Sequence, residues 1–341
     1  MLKNLKTIIF SRTDSIGDVM LTLPMIGIFK EYFPTCKIIF LGKKYTRAIA
    51  DSCIHIEKFV DWDEIISKPS RERVSVFKSL NADAIIHVFP NREIAILSKK
   101  AKIPLRTGTS HRIYHWLTCN KLVNFTRKNS NLHEAQLNIK LLEPVGINTS
   151  FSIERLVNYY GLKAIKQPAG LIDKGRLNLI LHPKSKGSAR EWGLENFSKL
   201  INLLPAEKFK IFITGTKEEG GLMRNFLSEN PQVVNLTGKF SLEELMAFIN
   251  SADGIVAAST GPLHIAAALG KTAIGIYAPM RPIHPGRWAP IGKNAHVFVL
   301  DKTCNDCRKT KDCVCIRSVS PLDVARKLLS VSKFDIPPSI S

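Results

Sequence analysis

Apolar residues fall along this chain in short continuous runs separated by longer stretches of helical spacing. The runs are Thr7 to Arg12, Lys37 to Gly42 and Ala84 to Phe89 in the first half, then Leu177 to His182, Phe209 to Thr214, Gly254 to Ala258, Thr272 to Tyr277 and Val297 to Leu300. Continuous hydrophobicity, as opposed to strict alternation, is what a strand covered on both faces needs, so these runs predict parallel strands inside α/β sheets. Between them, Val19 to Phe33, Arg73 to Leu80, Asn131 to Leu142, Leu194 to Leu204, Glu218 to Ser228, Leu242 to Asn250 and Pro262 to Leu269 carry the amphipathic spacing of helices. The alternation pauses once. Lys163 to Gly170 and Asp173 to Arg176 form a stretch of Pro, Gly and charged residues. The expectation is a Rossmann-like βαβ domain over residues 1–165, a linker over 166–175 and a second such domain over 176–330. A chain of 341 residues also exceeds the size at which one core stops growing, roughly 250–300 residues.

Two strand ends carry the most suggestive polar residues. After the first run comes Thr13-Asp14-Ser15-Ile16-Gly17-Asp18, and there Asp18 opens a helix at the carboxyl end of a parallel strand, where open α/β sheets bind ligands. Gly17 allows close approach to the backbone, and the helix N-terminus favours the ionised Asp18, a candidate base. Taken alone, Asp18 is equally a helix-start residue. The matching feature is Ala258-Ser259-Thr260-Gly261-Pro262-Leu263-His264, in which Thr260 is placed to cap a helix, Gly261 exposes its amide and Pro262 suits the first turn. Free amides there suit a diphosphate. Lys184-Ser185-Lys186-Gly187-Ser188-Ala189-Arg190, following Leu181-His182-Pro183, reads as a second anion loop, with Lys184, Ser185 and Arg190 as donors, or else as a basic turn.

Charge sharpens the picture. The net charge is +20, and no acidic residue lies between Glu93 and Glu134, while Lys99, Lys100, Lys102, Arg106, Arg112, Lys121, Arg127 and Lys128 do. Such a stretch attracts phosphates, an anionic membrane surface or nucleic acid, or is a solvated face. Tyr114, Trp116 and Phe125 sit among these charges, but no nucleic-acid module accompanies them, so nucleic acid is not the expected partner. No run reaches the roughly 18 apolar residues of a membrane span, and Met1 to Lys6 leads straight into a strand with no secretory signal, so the expected location is the cytoplasm.

With Leu23-Pro24, Glu191-Trp192, Leu236-Thr237-Gly238 and Tyr277-Ala278-Pro279, these loops occur in an order that resembles glycosyltransferase family 9, the ADP-heptose:lipopolysaccharide heptosyltransferases, over roughly residues 7–330. The resemblance implies a GT-B fold, with two Rossmann-like domains facing across a cleft, acceptor on the first and nucleotide sugar on the second. It implies an inverting transferase that needs no metal or other cofactor, with Asp18 as general base and ADP-heptose as donor. Gly17, Lys184, Ser185, Arg190, Ser259, Thr260, Gly261 and His264 would line the substrates. Lys99, Arg106 and Arg112 would face an anionic glycan acceptor and hold the enzyme on the inner membrane face without insertion. Two positions depart from the family pattern: Ser259 stands where an Asp is usual, leaving the identity of the sugar open, and Arg190 stands where Lys is frequent. A non-catalytic nucleotide- or glycan-binding descendant and a GT-B sugar-nucleotide epimerase are the alternatives; the latter needs cleft carboxylates that the Ser259 loop lacks.

Cysteines close the inventory. Cys36, Cys53 and Cys119 are scattered and read as small hydrophobes or free thiols. Cys304, Cys307, Cys313 and Cys315 cluster within twelve residues and suggest structural zinc, a disulfide or redox pair, or free thiols.

Overall fold

The computed structural model describes residues 5–127, 130–163, 170–302, 304 and 312–331. It divides into two compact units, Met1–Ile165 and Lys166–Ser341. The first contains strands β1 (Thr7–Ser11), β2 (Lys37–Gly42), β3 (Lys58–Asp61), β4 (Ala84–His87), β5 (Leu105–Thr109) and β6 (Lys121–Val123). All pair in parallel, in the order β3-β2-β1-β4-β5-β6. The second contains β7 (Leu177–His182), β8 (Phe209–Ile213), β9 (Val234–Asn235), β10 (Gly254–Ala258), β11 (Thr272–Ile276) and β12 (Ala295–Phe298), again parallel, ordered β12-β11-β10-β7-β8-β9. Numbered within its own unit, each sheet has the doubly wound order 3-2-1-4-5-6. The order reverses between β1 and β4 in one unit and between β7 and β10 in the other. Ligands bind such sheets at those reversals, beyond the carboxyl ends of the strands.

Both faces of each sheet are covered, which explains the continuous apolar runs. Ile9, Ile39, Leu41 and Ile85 pack on one face of the first sheet with Phe77, Ile94 and Leu97 from helices Ser70–Ser79 and Arg92–Lys100. Phe10 meets Phe29 of helix Leu23–Tyr32 edge to face at 5.5 Å. Burying each such side chain contributes roughly 1.5–3 kcal/mol. A Cβ at Gly27 would fall 2.1 Å from the Tyr159 carbonyl oxygen, so glycine is needed where Val157–Tyr159 crosses this helix. In the second unit, Trp192 is fully buried, donates from Nε1 to the Val319 carbonyl at 2.9 Å and packs against Phe197 at 5.0 Å.

Several predicted elements differ in extent. The expected helix Val19 to Phe33 is two helices, Ile16–Met20 and Leu23–Tyr32, because Pro24 has no N–H for a continuous ladder and sits instead in the first turn of the second. Glu218 to Ser228 likewise divides into Lys217–Leu222 and Arg224–Glu229, and Asn131 to Leu142 into helix Glu134–Ile139 and a 3₁₀ segment Lys140–Val145 containing Pro144. The strand expected at Val297 to Leu300 runs over Ala295–Phe298. β3, β5, β6 and β9 are too short or too polar to stand out in the sequence; β5 and β6 lie inside the basic stretch. Residues of the expected linker hydrogen-bond onto the second unit: Asn178 Nδ2 donates to the Asp173 carbonyl at 2.8 Å and Lys210 Nζ to that of Leu171 at 3.0 Å. Among the described residues no helix is long and apolar enough to cross a membrane.

Cys36, Cys53 and Cys119 are buried, and burial pushes each thiol up to about 11. Cys304, Cys313 and Cys315 belong to the apolar core of the second unit; Cys307 and Lys128 lie outside the described residues. Among the described residues no group of three or more His, Cys, Asp or Glu is arranged to hold a metal.

Candidate active site

At the first reversal, β1 is followed by Arg12, whose side chain is 2% exposed and surrounded by carboxylates. Nε and Nη2 donate to the two oxygens of Asp14 at 2.7 and 2.9 Å, Nη2 also pairs with Asp18 Oδ1, and Nη1 reaches Glu134 Oε1 at 3.3 Å. Glu134 opens helix Glu134–Ile139 and is itself buried; Arg127 Nε donates to its Oε1 at 2.9 Å. Asn138 Oδ1 accepts from Arg12 at 3.0 Å and Arg127 at 3.1 Å, while its Nδ2 holds the Leu21 carbonyl at 3.2 Å. Two guanidinium groups thus face three carboxylates. Burial opposes the Arg12 cation, but Asp14, Asp18 and Glu134 outweigh it and raise its pKa above the usual value. Burial and then the charge of Asp18 prevail over Arg12 at Asp14, which is pushed up to about 6.

Asp18 lies in the first turn of Ile16–Met20, partly exposed, and Gly17 beside it is buried. Its Oδ1 accepts from Arg12 and its Oδ2 from the Ser15 hydroxyl. An ionised carboxylate has about four lone-pair positions, so acceptor capacity remains for a substrate proton. Asp14 is committed differently, with both oxygens on Arg12. The Tyr45 hydroxyl ties the Asp14 carbonyl, and Thr22 Oγ1 ties that of Asp18 at 2.9 Å, so the loop is fixed at several points.

At the second reversal, the loop after β7 is organised by two glutamates that the sequence reading did not nominate. Lys184 Nζ donates to Glu191 Oε2 at 2.5 Å, and the Ser185 amide and hydroxyl reach Glu191 Oε1 at 3.1 and 3.2 Å. The Lys186 amide donates to Glu219 Oε1 at 3.1 Å, in a turn where Lys186 and Gly187 have φ of 49° and 79°. Lys184 therefore already has a counterion. Arg190 is half-buried on the same loop. The loop after β10 is barer. Thr260 occupies the N-cap of helix Gly261–Ala268 but makes no side-chain cap, and its buried Oγ1 has no hydrogen-bond partner among the described residues. Pro262 supplies no N–H and the His264 amide donates to the Thr260 carbonyl at 3.4 Å, whereas the Gly261 and Leu263 amides precede the first intrahelical acceptor. Ser259 is half-buried and His264 is buried in the first turn.

The nominated acceptor residues are placed unequally. Lys99 Nζ holds the Leu117 carbonyl at 2.7 Å and Arg106 Nε that of Thr118 at 2.7 Å, so both bind the carboxyl end of helix Ile113–Thr118. Arg112 is exposed just ahead of that helix. Arg127 belongs to the Glu134 network.

Buried histidines make stability depend on pH. His87, paired in register with Ser11, is pushed down to about 3 by burial, then by His115 and Arg106. His182 goes down to about 4 because burial outweighs Glu219 and Glu191, and its Nδ1 lies 2.9 Å from Thr214 Oγ1. As pH falls from 6.5 toward 4.5, the unfolded chain takes up protons at two imidazoles that the folded chain leaves neutral. The folded chain takes one at Asp14 before the unfolded chain does. The net proton uptake favours unfolding, by about 1.4 kcal/mol per pH unit for one uncompensated group. The urea midpoint is expected to fall across this window; a midpoint that rises on acidification would contradict the neutral burial of both histidines.

A model of glycosyltransferase family 9 (heptosyltransferase) matches residues 73–315. The chain belongs to this family. It is 23% identical to lipopolysaccharide core heptosyltransferase OpsX of Haemophilus influenzae over 290 residues, which are 82% of this chain and 80% of that protein. Its fold is similar to the crystal structure of a glycosyl transferase family 9 protein from Veillonella parvula, with a TM-score of 0.76, 20% identity, and coverage of 97% and 98% of the two chains. The structure of Escherichia coli ADP-heptose lps heptosyltransferase II gives a TM-score of 0.73 at 17% identity, covering 96% and 98%. The chain is therefore a glycosyltransferase with the GT-B fold. The matched stretch includes Glu134, the Lys184 loop and the Thr260 loop, while Arg12, Asp14 and Asp18 precede it.

Proposed function

We propose that this glycosyltransferase moves heptose from ADP-heptose to a lipopolysaccharide core acceptor with inversion and without a metal. The first unit takes the acceptor and the second takes the donor. Asp18 accepts the proton of the acceptor hydroxyl. That oxygen forms its bond to the anomeric carbon as the bond from this carbon to the diphosphate oxygen breaks, and ADP leaves with the electron pair. Supporting this reading is the carboxylate of Asp18, pinned by Arg12 and Ser15 with acceptor capacity left over at the reversal of its sheet. Donor phosphates are assigned to the Gly261 amide, Thr260 Oγ1, His264, Ser185, Arg190 and Lys184, with Ser259 beside the sugar. OpsX and heptosyltransferase II, named for the same sugar, support the donor and the acceptor class. Lys99, Arg106 and Arg112 are assigned to the acceptor side, Lys99 and Arg106 by fixing the helix behind Arg112. The enzyme works at the cytoplasmic face of the inner membrane.

The test is to supply ADP-heptose and a core oligosaccharide acceptor, with and without EDTA, and to determine the anomeric configuration of the product. Transfer with inversion that survives EDTA is expected; retention, loss that added Mg²⁺ restores, or no transfer would overturn the corresponding part. The donor assignment has its own check. Thr260→Val removes a buried hydroxyl whose partner would be the diphosphate, and should weaken ADP binding in calorimetry by about tenfold, the worth of one hydrogen bond. Unchanged affinity would remove Thr260 from the donor site.

A further inference from the structure

Helix Ile113–Thr118 has an inner face and an outer face of opposite character to expectation. His115 and Thr118 are buried, whereas Ile113, Trp116 and Leu117 are 86%, 65% and 69% exposed. Positions i, i+3 and i+4 share one helix face, so three large apolar side chains stand together in solvent. Scattered exposed hydrophobes are ordinary; a contiguous patch of this kind marks an interaction surface. The helix is also held firmly. Trp116 Nε1 donates to the Ser110 carbonyl at 2.8 Å, His115 Nδ1 lies 2.9 Å from the Thr109 carbonyl oxygen, and Lys99 and Arg106 hold its last carbonyls. The indole N–H is thus satisfied by the protein's own backbone while the ring stands largely in solvent.

The elements that flank this patch carry several cations. Arg112 precedes the helix, Lys121 follows it, and the neighbouring helix Arg92–Lys100, which packs against it, ends in Lys99 and Lys100 with Lys102 beyond; all are exposed. Between Glu93 and Glu134 there is no carboxylate to offset them. An apolar centre flanked by exposed cations fits the headgroup and upper acyl region of an anionic bilayer, where Trp is a favoured anchor and each nearby Lys or Arg adds electrostatic attraction.

We propose that Ile113, Trp116 and Leu117 insert into an anionic lipid bilayer and that the flanking Lys100, Lys102, Arg112 and Lys121 bind its headgroups. This rests on the membrane-face reading above and replaces contact without insertion by a defined wedge.

The chain has four tryptophans, of which Trp62 and Trp192 are buried and Trp288 half-buried, so Trp116 reports on its own surroundings. The full chain is titrated with vesicles of phosphatidylethanolamine and phosphatidylglycerol (2:1) and with pure phosphatidylcholine, following fluorescence and cosedimentation. A blue shift and binding to the anionic vesicles only are expected, with Trp116→Phe abolishing the shift and Ile113→Ser/Leu117→Ser lowering binding at least tenfold. Far-ultraviolet circular dichroism identical to the parent shows that these exposed-site variants are folded. Binding that ignores the apolar substitutions, or a patch-dependent dimer without vesicle binding, would overturn the proposal. Vesicle binding by a chain that fails to use ADP-heptose would instead count against the donor reading alone.

Discussion

Asp18→Asn is expected to lower kcat by about 10²–10⁴-fold, the usual contribution of a general base, while ADP affinity and the urea midpoint change little. Asparagine keeps the size of the side chain, and its carbonyl oxygen can still accept from Arg12 or Ser15, so the loop retains its anchor points. What disappears is the site that takes the hydroxyl proton. The effect belongs in kcat more than in acceptor KM, because the lost interaction forms only as the hydroxyl is deprotonated. Asp14→Asn is the informative partner. Asp14 is pushed up to about 6, closer to working pH than an ordinary carboxylate, but both of its oxygens are engaged by Arg12. Near-normal turnover in Asp18→Asn with collapse in Asp14→Asn would transfer the base to Asp14. Near-normal turnover in both would remove this loop from the chemistry and reopen the reading of Asp18 as a helix-start residue.

Periodicity was enough to read the strands nearest each reversal, because β1, β4, β7 and β10 are covered on both faces and are apolar apart from Asn178 and a few end residues. Of the outer strands, β12 shows as an apolar run displaced by two residues, whereas β3, β5, β6 and β9 were not legible. β5 contains Thr107, Gly108 and Thr109, β6 has three residues and β9 two, too few for a pattern. Order along the chain also brought out the Asp18 and Thr260 loops, since strand-end placement is a local property. The network behind Asp18 is different in kind. Glu134 and Asn138 reach Arg12 across more than 120 residues, and nothing in local spacing announces such a pairing. The available signal was a charged Arg12 directly after the buried strand Thr7–Ser11, with its apolar Ile8-Ile9-Phe10 centre, which requires a buried counterion from somewhere. In the basic stretch, a count of charges could not tell Arg127, which neutralises Glu134, from the exposed Lys100 and Lys102. Nor could it show that Lys184 carries Glu191 as its counterion.

Arg12→Met is expected to destabilise the first unit by about 3–5 kcal/mol, the cost of removing one partner from a buried ion cluster and leaving the others uncompensated. The magnitude follows from burial: Arg12 and Glu134 are 2% and 1% exposed, so water does not replace the lost guanidinium. Arg127 still faces Glu134, but Asp14 and Asp18 lose the cation they share. Arg12→Lys keeps the charge without the planar fork, and one ammonium cannot serve Asp14, Asp18, Glu134 and Asn138 at once, so an intermediate loss is expected. The double variant Arg12→Met/Glu134→Gln distinguishes a charge effect from a packing effect. Neutralising Glu134 as well should recover part of the loss, with a coupling of 1 kcal/mol or more, on the order of that seen for residues in one ionic network. Additive losses in urea denaturation would mean that Arg12 acts through its aliphatic packing, and that the carboxylate of Asp18 is positioned by Ser15 and its helix alone.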